Sequence, residues 1–419
     1  MAVTHALARV RCEPLADLPI AQVFEQHCLR CGHAWRDRLF TPLVTLRLFL
    51  LQILHGNTSI THLRQLSGLC FAPASYCAAR DRLPLEAITG LIKSLRNWAD
   101  RYVDRDATRL GWRVLAVDGS NFSTRDEPSL RSHFGIWPGA KAGVAYPMGK
   151  LLGLLDLASG MFVELLAAPL LSHEAGQVIR VHPMLRVGDI LLGDRGFCSF
   201  VHFSLLNASG VLACFRLHQQ RKVKPGASSQ RWKKPTKPPV WMSAAQFALL
   251  PAWIDVRLVV YTLARQGFRT KRVIIATTLS RQAWSDADVA ALYGRRWEIE
   301  TCFDHLKTTM GMNRLKCKTV AGVMKELAMY LLAYNLVRLA MLKAAQSQGV
   351  AVNRVSFIDA MRWLSSVMLG LQAVAKLNIN PDRQGRCQPR VIRSRMKAYD
   401  LLVRPRHESK SPEKTGQNA

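Results

Sequence analysis

The sequence predicts a mixed α/β sheet with helices packed against it, a β-rich insertion late in the sheet, and helical regions at both ends. Three observations lead there. Apolar residues recur at helical spacing up to about residue 108 and again from Ser285 onward. Between them, short apolar runs follow the order strand, hairpin of two strands, helix, strand, helix, strand. A basic, proline-bearing stretch at 219–239 interrupts the pattern before two more strands.

In the first region, Leu43, Leu46, Leu50 and Ile53 mark a helix that Gly56 ends. Shorter helices are expected at Ser59–Leu66, before a turn at Gly68, and at Ala74–Arg82, between Pro73 and Pro84. Two short helices joined by a glycine-bearing turn suit a helix-turn-helix whose second helix carries Arg80 and Arg82 into a DNA groove. A plain helical bundle explains the same pattern.

The texture changes near residue 111. Val114–Val117 is an apolar run that ends in Asp118-Gly119. Lys150–Leu155 and Met161–Ala167 form a hairpin around Ala158-Ser159-Gly160. Ser172 is placed to cap a helix with Glu174 early in it. Ile190–Leu192 ends in Gly193-Asp194-Arg195-Gly196, and a helix at Phe200–Ala208 and a strand at Val211–Arg216 follow. From 219 to 239, Arg221, Lys222, Lys224, Arg231, Lys233, Lys234 and Lys237 alternate with prolines, which predicts an exposed basic loop. Strands resume at Arg257–Leu263 and Arg272–Thr277, so 219–279 is expected to be a β-rich basic insertion. The helical texture after Ser285 lasts to about Leu371, and a basic run from Arg386 to Arg406 precedes a polar tail.

The 419 residues suit two or three domains, and 49% hydrophobic content supports a sizeable core. A net charge of +29 points to a polyanionic partner, nucleic acid above all, although a cationic surface also serves solubility. The 10 cysteines form no disulfide framework and read as reduced thiols of a cytoplasmic protein. Cys28-Leu-Arg-Cys31-Gly-His33 resembles half a zinc site, but no second Cys-x-x-Cys completes four ligands. The N-terminus, with Arg9, Arg11, Glu13 and Pro14, has no apolar leader. Leu39–Leu54 and Leu327–Leu342 are short for membrane spans, and Arg47, Asn335 and Arg338 interrupt them. They are expected to be buried helices.

Two apolar runs end alike, in Asp118-Gly119 and in Asp194-Arg195-Gly196. A carboxylate at a strand end is held firmly, and the glycine lets the backbone turn away. Such oxygen ligands suit Mg²⁺ or Mn²⁺, although Asp-Gly is also common turn chemistry. Leu292–Lys307 reads as one helix, with Tyr293, Arg296, Glu300, Asp304 and Lys307 on one stripe beside an apolar stripe of Leu292, Ile299, Phe303, Leu306 and Met310. A solvated helix would also pair Arg296 with Glu300. Three converging carboxylates would hold two metal ions for an in-line phosphoryl transfer. In that arrangement Asp118 bridges the ions, Asp194 and Glu300 each hold one, and Arg296, Lys307 and Tyr293 grip neighbouring phosphates.

The spacing Tyr293-x2-Arg296-x3-Glu300-x6-Lys307 resembles the Y-R-E-K signature of the insertion-sequence-4 family of DDE transposases. Val117-Asp118-Gly119-Ser120, Gly193-Asp194-Arg195-Gly196-Phe197, Ala276-Thr-Thr-Leu279 and Ala333-Tyr334-Asn335-Leu336 are similar to that family as well. The likeness runs from about residue 39 to about 406. It implies a ribonuclease-H-like catalytic domain made of 109–218 and 280–320, split by the insertion at 219–279. Around it would stand a helical DNA-binding region at 1–108, a helical and basic region at 321–405, and a disordered tail at 406–419. It also implies Asp118, Asp194 and Glu300 as the catalytic, metal-binding triad, and Tyr293, Arg296 and Lys307 as contacts to the transposon-end backbone. The implied cofactor is two Mg²⁺ ions per site, with Mn²⁺ able to substitute. The implied partners are double-stranded DNA, as transposon ends and target, and a second copy of the chain, with no membrane. The expected setting is the bacterial cytoplasm, at the nucleoid. In a hairpin route an aromatic residue of the insertion would stack a flipped base, and Trp232, Trp241 and Trp253 all qualify. The readings that compete with a transposase are a DNA-binding protein without catalysis, a plain nuclease of the same fold, and an inactive copy.

Overall fold

The computed structural model describes residues 18–103, 111–138, 143, 145–262, 272–369 and 377–380. The basic run Arg386–Arg406, the tail 406–419, Cys12 and Cys387 lie outside the described residues.

The first described helices are α1 (Ile20–Arg30), α2 (Pro42–Leu54), α3 (Ile60–Ser67), α4 (Pro73–Arg82) and α5 (Leu85–Ala99). Thr41 caps α2 by accepting the Val44 N–H, with Pro42 at the first helical position, and Ser59 caps α3 in the same way. The α2 segment is apolar on nearly every side, and its side chains are almost all buried in the middle of this helical layer. Arg80 corrects the expected groove-reading role of α4. Its guanidinium stacks 3.7 Å from the Phe49 ring centroid. It also donates to Gln52 Oε1 at 3.2 Å and to Cys317 Sγ at 3.0 Å. It is held within the fold, whereas Arg82 is exposed.

The sheet then builds from β1 (Val114–Ser123), β2 (Met148–Asp156), β3 (Met161–Pro169), β4 (Ile190–Gly193), β5 (Leu212–Arg216), β6 (Ser229–Lys233), β7 (Trp253–Thr262) and β8 (Arg272–Thr277). Among them run helices α6 (Pro128–Phe134), α7 (Glu174–Val178), α8 (Phe200–Ala208) and α9 (Ala244–Ala248). The strands form one 8-stranded sheet in the order β3-β2-β1-β4-β5-β8-β7-β6. β1, β2 and β3 are an antiparallel meander, β4 and β5 add parallel to β1, and β8, β7 and β6 continue antiparallel. The first five strands have the ribonuclease-H-like arrangement. The 219–279 strands extend that sheet and do not form a separate layer.

Several local expectations differ. β1 does not stop at Asp118, because its antiparallel ladder with β2 runs on to Ser123. The 219–239 stretch is not all loop, since β6 alternates outward Arg231 and Lys233 with inward Gln230 and Trp232. Trp232 is buried, stacked under Arg221 at 3.7 Å and edge-on to Phe203. Ser172 does not cap a helix: its hydroxyl donates to the Pro169 carbonyl, and α7 starts after His173.

The last part contains α10 (Asp286–Gly294), α11 (Trp297–Asp304), a π-turn at His305–Thr309, α12 (Val320–Gln348) and α13 (Phe357–Met368). At 29 residues α12 is longer than expected and apolar enough to cross a bilayer, yet 89% of its apolar window is buried inside the fold. Its polar residues clamp the β2–β3 hairpin. Asn335 accepts from Phe162 N at 3.1 Å and donates to Phe162 O at 3.0 Å. Arg338 donates to Ser159 O across Gly160, whose positive φ of 67° and missing Cβ leave room for the guanidinium.

Alternate residues of β1 feed two cores. Val114 and Ala116 face the core shared with α10, α11, α12 and the N-terminal helices, while Leu115 and Val117 face the core under α8. On β4, Ile190 and Leu192 likewise face the first core.

Candidate active site

The same alternation assigns Asp118 to the face of Val114 and Ala116, and Asp194 to the face of Ile190 and Leu192. That face is covered by α11, whose Ile299 and Phe303 pack into the same core. The parallel ladder between β1 and β4 ends at Val117 and Gly193. Asp118 and Asp194 are therefore the first residues beyond the last shared rung, on neighbouring strands. Farther along, β1 regains cover at Ser123, which is bridged by Arg314. The window between Val117 and Ser123 holds Asp118 and Ser120.

Gly153 lies directly opposite Asp118 on β2. A Cβ there would come within 2.6 Å of Phe303 and 2.8 Å of Phe162. The glycine thus lets α11 sit close on the sheet and bring Glu300 over the window. At the other end of α11, Arg295 donates to the Leu157 carbonyl and pairs with Glu298. Arg257 of β7 ties down the lead-in to α10, donating to Leu279, Ser280 and Trp284 carbonyls and pairing with Asp286 at 2.6 Å. Sequence reasoning missed Gly153, Arg295 and Arg257. A glycine inside an apolar strand run was a readable sign of close packing for the first, whereas the arginines act across long sequence separations.

Residues 292–307 are not one helix. The chain breaks at Arg295-Arg296 between α10 and α11, and a π-turn follows. Both junction residues keep right-handed backbone angles, so the stripe survives. The Arg296 guanidinium is almost fully buried and donates to Asp118 Oδ2 at 3.1 Å and to Glu300 Oε1 at 2.9 Å. Asp118 and Glu300 are thus within the span of one guanidinium. Lys307, carried by the π-turn, donates to Ser120 Oγ at 3.1 Å. Tyr293 is buried beside Arg296, close enough to feel the charges of Asp194 and Arg216, and burial raises its phenol pKa.

Burial pushes the Asp118 carboxyl up to about 6. Arg296 and the Gly119 N–H, which donates to Asp118 Oδ1 at 2.8 Å, pull it down, while Glu300 and Asp194 add to the rise. That Asp118 feels both Glu300 and Asp194 marks its proximity to them. Burial lowers the Lys307 pKa.

Among the described residues no three His, Cys, Asp or Glu side chains are arranged to hold a metal ion. This covers the Cys28/Cys31/His33 cluster, where Cys28 is buried and Cys31 exposed. At the carboxylates the reason is plain, since the Arg296 guanidinium sits between Asp118 and Glu300. The donor chemistry still fits a hard divalent cation: three carboxylates, one within β1, one just past β4 and one on a helix, share one face. Holding an ion requires Arg296 to withdraw.

Of the three insertion tryptophans, Trp232 is interior, Trp241 packs on Gly176, and Trp253 is 58% exposed. The window also has Trp297 at its rim, 45% exposed with Arg296 beneath its ring.

Residues 110–336 match the transposase DDE domain family. Over 366 residues the chain is 28% identical to "Transposase InsG for insertion sequence element IS4" of Escherichia coli strain K12, covering 78% of each chain. A second relative in the same organism, "Putative transposase InsZ", is 31% identical over 116 residues, 27% of this chain and 37% of that one. The piggyBac transposase in a synaptic complex with hairpin DNA aligns at a TM-score of 0.43 and 11% identity, covering 84% of this chain and 77% of that one.

Proposed function

The chain belongs to the DDE transposase family and is a DNA transposase, and from that premise we propose that Asp118, Asp194 and Glu300 are its catalytic carboxylates. The observation that carries this reading is Arg296, which gathers Asp118 and Glu300 around one guanidinium at the point where β1 and β4 part.

The family uses divalent metal, typically Mg²⁺. Asp118 of β1, Asp194 just past β4 and Glu300 on α11 would hold it. The chemistry that a pair of bound ions supplies is activation of the attacking oxygen and stabilisation of the leaving oxygen. Mn²⁺ has the same ligand preference and should substitute. The chain's own part is to bind and orient DNA. Once withdrawn from the carboxylates, Arg296 offers a planar fork to a backbone phosphate. Lys307, next to Ser120, offers a point charge on the other side of the window, and Tyr293 offers its hydroxyl from within the cleft.

DNA is the partner. In this reading the N-terminal helices hold the element's terminal inverted repeats. A groove of about 810 Å³ between the 33–40 segment and α4 supports this, since Arg36, Arg38 and Arg82 line it with Trp35 and Phe71 and no acidic residue. The 109–218 and 280–320 segments form the catalytic body, with 219–279 as its basic extension and the helices Val320–Gln348 and Phe357–Met368 as its support. Two copies pair the two element ends, in the bacterial cytoplasm at the nucleoid.

The test is incubation of a DNA fragment ending in the inverted repeats with Mg²⁺. Asp118→Asn, Asp194→Asn and Glu300→Gln should each abolish strand cleavage and joining while retaining DNA binding. Cleavage at the wild-type rate in any of the three would remove that residue from the site.

A further inference from the structure

Asp194 continues the alternation of β4 but stands beyond its last rung, so the turn that follows it holds the backbone from which its carboxylate projects. That turn, Arg195–Phe197, is closed by the Phe197 N–H donating to the Asp194 carbonyl at 3.1 Å. Phe197 anchors it twice. Its ring is buried beside Gly193, and its carbonyl lies 2.9 Å from His202 Nδ1. A carbonyl only accepts, so Nδ1 carries the hydrogen. The other ring nitrogen of a neutral imidazole is then an acceptor, and His182 Nε2 lies 2.9 Å from it and must donate. The two rings are nearly parallel, 13° apart, and His202 also stacks on Phe215 of β5. Its backbone is fixed at the start of α8 by the Ser199 cap.

We propose that His202, with its tautomer fixed by His182, is a positioning residue for Asp194: it pins the Phe197 carbonyl and so aims the carboxylate into the window. The proposal rests on the reading of Asp194 as a catalytic carboxylate. Burial of the imidazole lowers the pKa of each histidine, which keeps the pair neutral and the donor chain in one direction. Protonating His202 would set two N–H donors against each other.

His202→Asn keeps a donor near the Nδ1 position and loses the contact to His182, while His202→Leu loses both. The readout is Mn²⁺ binding to the DNA-free protein by electron paramagnetic resonance titration, alongside urea stability of each variant. H202L should weaken Mn²⁺ binding about tenfold, as loss of a support behind a metal ligand does. It should raise the Mg²⁺ concentration for half-maximal cleavage to match, with DNA affinity unchanged. H202N should restore Mn²⁺ binding to within about threefold of wild type even if it is no more stable than H202L. Equal Mn²⁺ affinity in H202L and wild type overturns the proposal, as does a loss in H202N equal to that in H202L. Should H202L fail to fold, His182→Leu at the more accessible ring should weaken Mn²⁺ binding in the same direction, and no change there overturns it. Asp194→Asn separates the two readings. If it leaves Mn²⁺ binding and cleavage intact, the assignment of Asp194 fails. If it abolishes both while H202L behaves as wild type, only the positioning role fails.

Discussion

Arg296 reaches Asp118 Oδ2 and Glu300 Oε1 at once because a guanidinium is a planar fork, and a lysine ammonium at the same position would reach one of them at best. In the working site the same fork serves a backbone phosphate, so Arg296→Lys keeps the charge and loses one charge-assisted hydrogen bond there. The expected cost is about 1.5–3 kcal/mol, or roughly ten- to a hundredfold in cleavage rate at saturating DNA. An unchanged rate in a single-turnover assay would show that the fork is dispensable. The spacing of Tyr293, Arg296, Glu300 and Lys307 was legible in the sequence because it follows helical periodicity. The pairing of Arg296 with Asp118 was not, because 178 residues separate them and only the sheet brings them together. Arg80 misled for a related reason. An arginine in a short polar helix reads as a surface group, and its burial depends on Phe49, Gln52 and Cys317, which reach it from other elements.

The docking of α11 on β2 is governed by Gly153. Gly153→Ala puts a methyl group into the rings of Phe303 and Phe162. It should destabilise the fold by about 1–3 kcal/mol and lower cleavage by lifting Glu300 off the window. Urea titration and a cleavage assay measure the two effects, and pairing with Phe303→Leu should recover part of both. No change in either would mean that α11 is not seated there. The clamp of α12 on β3 has its own test. Asn335→Leu leaves both backbone groups of Phe162 without their partner and should cost at least about 2 kcal/mol in chemical denaturation. At this scale the apolar runs placed the strands well, since burial on both faces makes them continuous and conspicuous. Their ends were less legible. β1 runs past Asp118 because β2 continues to pair with it, and no local signal in Asp118-Gly119 records a partner strand. β6 was hidden by its charge, although the alternation of Arg231 and Lys233 with Trp232 is a strand pattern in basic dress.

Across the whole molecule, a net charge of +29 sets the terms of DNA binding. A protein that neutralises six to ten phosphates loses about 10³–10⁵ in affinity between 50 and 200 mM salt. A fluorescence-anisotropy titration should show a steep log–log slope of that kind, and a flat one would argue against a broad phosphate interface. Acid should weaken the fold through the histidine pair. Burial lowers the His182 pKa to about 4, below its ordinary value near 6.5, and that of His202 falls as well. As pH drops from 6.5 toward 4, the unfolded chain binds protons that the folded chain refuses, so stability is full above 6.5 and declines through that window. A tenfold weaker hold on the proton in the folded chain is worth about 1.4 kcal/mol for each histidine. His182→Leu should flatten urea stability against pH across the same range, and an unaltered slope would exclude the pair as its source. All of this depends on three acidic side chains, distant in sequence, serving one metal-dependent reaction. The decisive measurement is anomalous scattering from crystals grown with Mn²⁺ and a DNA end. Manganese should be bound by Asp118 and Asp194, with Glu300 in its coordination shell and Arg296 turned to a phosphate. Manganese bound elsewhere, with Glu300 still paired to Arg296, would overturn the assignment.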